Sequence, residues 1–251
     1  MIALICVLIT NNVTAQMRLI NEVETDNPVN NLPDTCEYVE LRSAPGAVLP
    51  ANTYFISVEG QEVNFAYGRV TFVANVSGVT FNAASGLITV LNMNSTCPGR
   101  TYGTSTIVPA AQTQGFLQNG TSTYFLLTLP AGSPAPIATV TDYDPNDDGV
   151  INLPTGTVVH DSFGFFGIIG VEGEFVYGPN VNPSLAQGPE NPDAFVRFSS
   201  NNSPNSASAF YFGELNEAGG VTTTMFSAAP AERSANFPAN GQLTPGLPNV
   251  P

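Results

Sequence analysis

The chain contains no lysine and no tryptophan, one histidine, and only six basic residues, all arginine, against 20 acidic ones. Its formal charge of -14 argues against nucleic acid or an anionic membrane surface as partner, because both would be repelled. No window sustains the 3.6-residue apolar spacing of an amphipathic helix. No apolar run approaches the roughly 18 residues of a membrane-spanning helix either, so no membrane span is expected in the mature protein. A nucleophile elbow, a phosphate loop, a dinucleotide fingerprint and an HExxH motif are all missing. Close Cys/His spacing, which a zinc site needs, is missing too. These absences point away from an enzyme.

What remains is a chain of 251 residues, long enough for one large all-β domain or two small ones. Only 10% of its residues are charged, and Asn, Thr, Ser, Gly and Pro dominate the polar remainder, as in exported β-rich proteins. Short runs of alternating apolar and polar residues, separated by turn formers, predict strands over 17–24, 37–42, 53–58, 69–76, 87–92, 122–129 and 137–141. A second group is expected over 156–160, 163–171, 174–177, 194–199, 208–212 and 221–226. About a dozen strands suit a β-sandwich. The stretch LPAGSPAP from Leu129 is the strongest internal break and divides residues 17–235 into two possible sub-lobes near 130–136. Residues 236–251 are rich in Pro and Gly and are expected to form an extended tail without core.

Residues 1–16 begin with the apolar run MIALICVLI, which has two readings. Followed by Val13-Thr14-Ala15, it matches a secretory leader, although no basic residue precedes it. Retained, it is a strand whose apolar surface needs a partner. Cys6 lies inside this run, which leaves Cys36 and Cys97 as an even pair. In an oxidising compartment these form one disulfide closing a loop of about 60 residues, and otherwise they are buried thiols.

Leu19-Ile20-Asn21-Glu22-Val23 followed by Glu37-Tyr38-Val39-Glu40-Leu41 resembles the paired strands of the lamin-tail-like domain of secreted bacterial proteins. TDYDPNDDGVINL from Thr141, PDAFVRF from Pro192 and PNSASAFYFGEL from Pro204 resemble later blocks of its larger extracellular members, so the likeness spans about residues 18–215. The resemblance implies an immunoglobulin-like β-sandwich, here with additional strands and an extended N-terminal segment. Some members of that family are attached to nucleases, and no nuclease domain is seen in this sequence.

Several groups could carry chemistry. Asp144, Asn146 and Asp148 before Gly149 follow the first half of an EF-hand-type calcium loop, with Asp142 or Asp147 able to complete it. Thr155 stands where such a loop needs a bidentate Glu, so the alternative is an acidic, solvated turn. Glu22, Glu37 and Glu40 form either a carboxylate cluster for a cation or the wet face of a sheet. His160, Asp161 and Ser162 are chain neighbours, and neighbours on a strand point to opposite faces, so they do not make a triad. The apolar stretch 162–177 is either core or a surface that another subunit covers. Sequons at Asn12, Asn75, Asn94, Asn119 and Asn201 permit glycosylation.

Together these features suggest a secreted structural subunit of an extracellular filament, polymerising with copies of itself by strand insertion. Ile2, Leu4, Cys6 and Leu8, or Leu19, Ile20 and Val23 of the next strand, would be the donated residues. The alternative is a monomeric secreted module that binds cell surfaces or glycans and is steadied by calcium.

Overall fold

The computed structural model describes residues 17–26, 36–61, 66–92, 97, 100–115, 117–118, 120–167, 173–181, 192–218 and 221–249. Thirteen strands lie among them. In chain order the first seven are β1 (Arg18–Glu24), β2 (Tyr38–Ser43), β3 (Thr53–Glu59), β4 (Val70–Asn75), β5 (Leu87–Leu91), β6 (Thr106–Val108) and β7 (Thr113–Gly115). They are followed by β8 (Ser122–Thr128), β9 (Val158–Phe165), β10 (Ala194–Arg197), β11 (Phe210–Gly213), β12 (Leu215–Ala218) and β13 (Val221–Phe226).

Two sheets make the body, one ordered β11-β10-β1-β2-β5-β6 and the other β7-β4-β3-β8-β9, with β12 and β13 as a separate ribbon. The all-β expectation therefore holds, in the form of a β-sandwich. The cause is visible in single strands. In β3, Phe55 turns inward while Ile56 and Val58 turn outward, the two-residue period of a pleated strand. Between the sheets, Phe163 packs on Phe210 with ring centroids 4.2 Å apart, and Phe165 packs on Phe195 at 4.6 Å.

Both outer faces are covered as well. Ile56, Val58, Val70, Val73, Phe125 and Leu127 on the five-stranded sheet lie under Ala138, Tyr143, Ile151 and Leu153 of the β8–β9 connection. Tyr38, Ala194, Val196 and Tyr211 on the six-stranded sheet lie under Leu215, Phe226, Phe237 and Leu243. This corrects the expectation of a coreless tail, since Leu243 is 2% exposed and Asn249 5%. Two expected strands are also corrected. Residues 137–141 are a turn closed by the Thr141 amide on the Ile137 carbonyl at 2.9 Å, and 174–177 run without strand pairing, joined to the body through the Phe175 amide on Gly60. Ala138 and Tyr177 of these segments pack onto the sheet, while Ile137 and Val140 are exposed. The break after Leu129 does not divide the body into separate lobes: β8 before it pairs with β9 after it, and β1 pairs with β10.

Cys36 and Cys97 are joined in a disulfide, 61 residues apart in sequence. Closing a loop of that length contributes roughly 4 kcal/mol in the chain-entropy account.

Candidate functional site

The most unusual chemistry lies on the outer face of the six-stranded sheet. Alternation turns Val23, Val39 and Leu41 into the core, so Glu22, Glu24 and Glu40 must point the other way. Glu22 and Glu40 are direct cross-strand partners of β1 and β2, an arrangement that ordinarily destabilises a sheet when both side chains are charged. All three are 0% exposed, which excludes the wet-face alternative for Glu22 and Glu40; Glu37, grouped with them from the sequence, is also 0% exposed but precedes Val39 on the inward side.

Residues 241–249 cover Glu22 and Glu40. Glu22 accepts hydrogen bonds from the Thr244 amide at 3.0 Å, the Thr244 hydroxyl at 2.9 Å and the Tyr38 phenol at 2.5 Å. Glu40 accepts from the Gly246 amide and from Asn21 Nδ2, each at 2.6 Å. Asn249 ties the strap down, donating to the Arg197 carbonyl at 2.6 Å and accepting from Asn21 at 2.8 Å. Gly246 has φ +74°, and a Cβ there would lie 1.6 Å from the Tyr102 carbonyl oxygen, so only glycine fits. Glu24 is paired with Arg100, which also donates to the Cys36 carbonyl at 3.1 Å.

Removal from water pushes Glu22 up to about 7, against the lowering effect of Tyr38, Thr244 and Arg100. Burial raises Glu24 to about 8 although Arg100 opposes it. Glu40 lies well above the carboxylate range, first from burial and then from the charge of Glu22. Glu22 and Glu40 are thus carboxyls of raised proton affinity clamped on the backbone of a strap, while Glu24 is held by Arg100. It is a latch in form.

The other candidates are placed as follows. Asp161 forms a fully buried ion pair across the sheets with Arg197 at 2.5 Å. A bulge in β1 after Ile20 supplies the rest: the Ile20 amide donates to Asp161 at 2.8 Å, and Arg197 Nε donates to the Ile20 carbonyl at 2.7 Å. The Ser162 and Asn205 amides also donate to Asp161. His160 faces Thr128, its Nε2 2.8 Å from the hydroxyl, and burial lowers it to about 4, so the ring is neutral. The Ser162 hydroxyl donates to Asn205. Asp161 and Ser162 both bond Asn205 while His160 lies apart on Thr128, so the three make no triad.

In the acidic loop, Asp144 is buried and accepts from the Asp148 and Gly149 amides at 3.1 and 2.9 Å and from the Tyr177 phenol at 2.9 Å. Asn146 donates to Asp148, and Asp142 takes the Asp144 amide. The loop is therefore closed by its own groups rather than being a solvated turn throughout. Among the described residues no group of three or more His, Cys, Asp or Glu is arranged to hold a metal ion.

Leu19, Ile20 and Val23 are all 0% exposed within β1, which lies between β10 and β2 in its own sheet. Asn75 is exposed and Asn201 half-buried. Ile2, Leu4, Cys6, Leu8, Asn12, Asn94 and Asn119 lie outside the described residues. Sequence reading missed Arg197, Arg100, Thr244 and Asn249. Of these only Arg197 left a trace, as a lone charge in the apolar run Ala194–Phe198.

Comparison with known families, curated proteins and solved structures finds no match to the chain.

Proposed function

We propose that the chain is a non-catalytic, secreted structural subunit of an extracellular assembly, an immunoglobulin-like sandwich of the lamin-tail kind. The observation that carries this reading is that the side chains best suited to chemistry are used internally. Asp161 and Arg197 neutralise each other between the sheets, Glu22 and Glu40 hold the strap, and His160 is a neutral partner of Thr128. A disulfide suits an oxidising compartment.

Assembly would proceed by strand addition. The donor is the apolar segment before β1, because β1 already has neighbours on both sides. The acceptor is the outer edge of β9, the end strand of its sheet; among the described residues its only bridge on that side is Gly164 to Asn180. Val158, at the open end of this edge, is 53% exposed.

The test is intact mass and N-terminal sequencing of the exported protein, together with light scattering and negative-stain imaging. Particles much larger than one chain that retain residues 1–16, and that become monomers when those residues are deleted, are the expected result. A full-length chain that stays monomeric at high concentration overturns assembly and leaves the monomeric glycan- or surface-binding module.

A further inference from the structure

The layer between the sheets changes character along its length. The inward positions of β3 run Phe55, Ser57, Glu59, and those of β8 run Leu126, Tyr124, Ser122. On the opposing sheet, Leu41 and Val39 of β2 lead back to Glu37, and Ile88 and Val90 of β5 lead on to Asn92. The apolar members gather toward one end and the polar ones toward the other. Ser57 lies beside Tyr124 and Glu59 beside Ser122 in register, while Asn92 donates to Glu37 across the β2–β5 pair.

All of these polar residues are 0–1% exposed. Buried polar atoms almost always find a partner, yet among the described residues Ser57 Oγ, Glu59 Oε2 and Asn92 Oδ1 have none. Glu59 Oε1 is occupied by the Gly60 and Gln61 amides, which leaves its second oxygen unmet. The Tyr124 phenol feels the charges of both Glu37 and Glu59 and the Ser122 hydroxyl, so groups from both sheets converge on one locale. The charge acting on Glu59 comes from Glu174 and has the same sign. Unmet buried oxygens beside two carboxylates make a locale that attracts positive charge.

We propose that this polar end of the inter-sheet layer binds one hard divalent cation of the calcium class, held by Glu59 and Glu37 from opposite sheets with Asn92, Ser57 and Ser122. The donors are all oxygen, which selects calcium over zinc or copper. The site is separate from the Asp142–Asp148 loop and independent of the assembly reading.

Calcium alone is titrated into chelator-treated full-length protein by calorimetry, with Glu59→Gln and Asp144→Asn in parallel. The expected result is one saturable site, weakened roughly tenfold or more by Glu59→Gln and unchanged by Asp144→Asn. Terbium provides a second readout. Bound beside Tyr124 it is sensitised by that ring, so Tyr124→Phe dims the luminescence without altering calcium affinity, and this test stands even if Glu59→Gln does not fold. Absence of saturable binding, which would mean buried water fills the space, overturns the proposal. So does binding abolished by Asp144→Asn, or terbium luminescence indifferent to Tyr124→Phe.

Discussion

The two outer faces of the sandwich are covered in opposite ways. Over the five-stranded sheet, Tyr143, Ile151 and Leu153 lie on Ile56, Val73 and Phe125, a contact of apolar surface on apolar surface. Over the six-stranded sheet, an apolar patch around Tyr211 and Phe226 gives way to carboxyls that grip the backbone of residues 244–246. Apart from backbone ties of Thr139, Thr141 and Tyr143 to Gly68 and Val70, the first kind of cover is non-directional and tolerates adjustment. The second fixes one chain path in one register, because removing either partner of a buried hydrogen-bonded carboxyl leaves the other unsatisfied at about 1–3 kcal/mol. The same protein therefore uses one face for bulk stability and the other for a defined position of its C-terminal segment.

The largest effect should come from separating strap and face without touching a carboxyl. Gly246→Ala places a Cβ against the Tyr102 carbonyl and the Gly103 amide, both backbone, so neighbouring side chains cannot relieve it. The strap must lift. That exposes Leu243, worth about 2 kcal/mol, and leaves Glu22 and Glu40 without amide donors, for a total loss of about 4 kcal/mol. Urea unfolding should show this loss, and limited proteolysis should show new cleavage within 241–249. Wild-type stability with an intact strap would mean that the close backbone contact does not govern docking.

The second effect distinguishes the faces by pH. Glu22 and Glu24 titrate near 7 and 8 in the folded chain, above an ordinary value of 4.5, so between these limits the folded state holds protons that the unfolded state has released. Their contribution to stability is complete below about 4.5 and is lost as pH rises through 7 and 8. For Glu22 alone the loss is on the order of 3 kcal/mol. Unfolding free energies at pH 5, 7 and 8.5 should fall in that order, and Glu22→Gln should flatten the slope. Stability that rises with pH over this range would contradict the buried, protonated face.

Much of this fold is legible in the sequence, because a strand buried on one side writes its period into residue types. The alternation in LINEV and EYVEL marks β1 and β2 and even the shared face of Glu22 and Glu40. Residues 137–141 and 174–177 carry the same apolar signature without being strands: Ala138 and Tyr177 pack onto a sheet from a turn and an unpaired segment, and Ile137 and Val140 are exposed. The burial of the carboxyls was not legible. What buries them is a strap whose decisive groups are the amides of Thr244 and Gly246, and a backbone amide has no residue-type signature. The bulge after Ile20 was hidden for the same reason, as the Asp161–Arg197 pair is held by the Ile20 amide and carbonyl rather than by its side chain.

The smallest effect sharpens the comparison from the apolar side. Ile56 is 0% exposed and faces the cover from a central strand, with Val73 and Phe125 as its cross-strand neighbours. Ile56→Val removes one methylene from this layer and should cost about 1 kcal/mol, the usual range where neighbours close in partially. No carboxyl of the opposite face touches this position, so the decline of stability from pH 5 to 8.5 should keep the wild-type slope, displaced by a constant. Proteolysis of residues 137–157 should be unchanged too, because an apolar cover that loses one of many dispersed contacts stays seated. A loss above 3 kcal/mol, or a changed pH slope, would mean that the apolar cover is as narrowly keyed as the strap and that the two faces are coupled through the core.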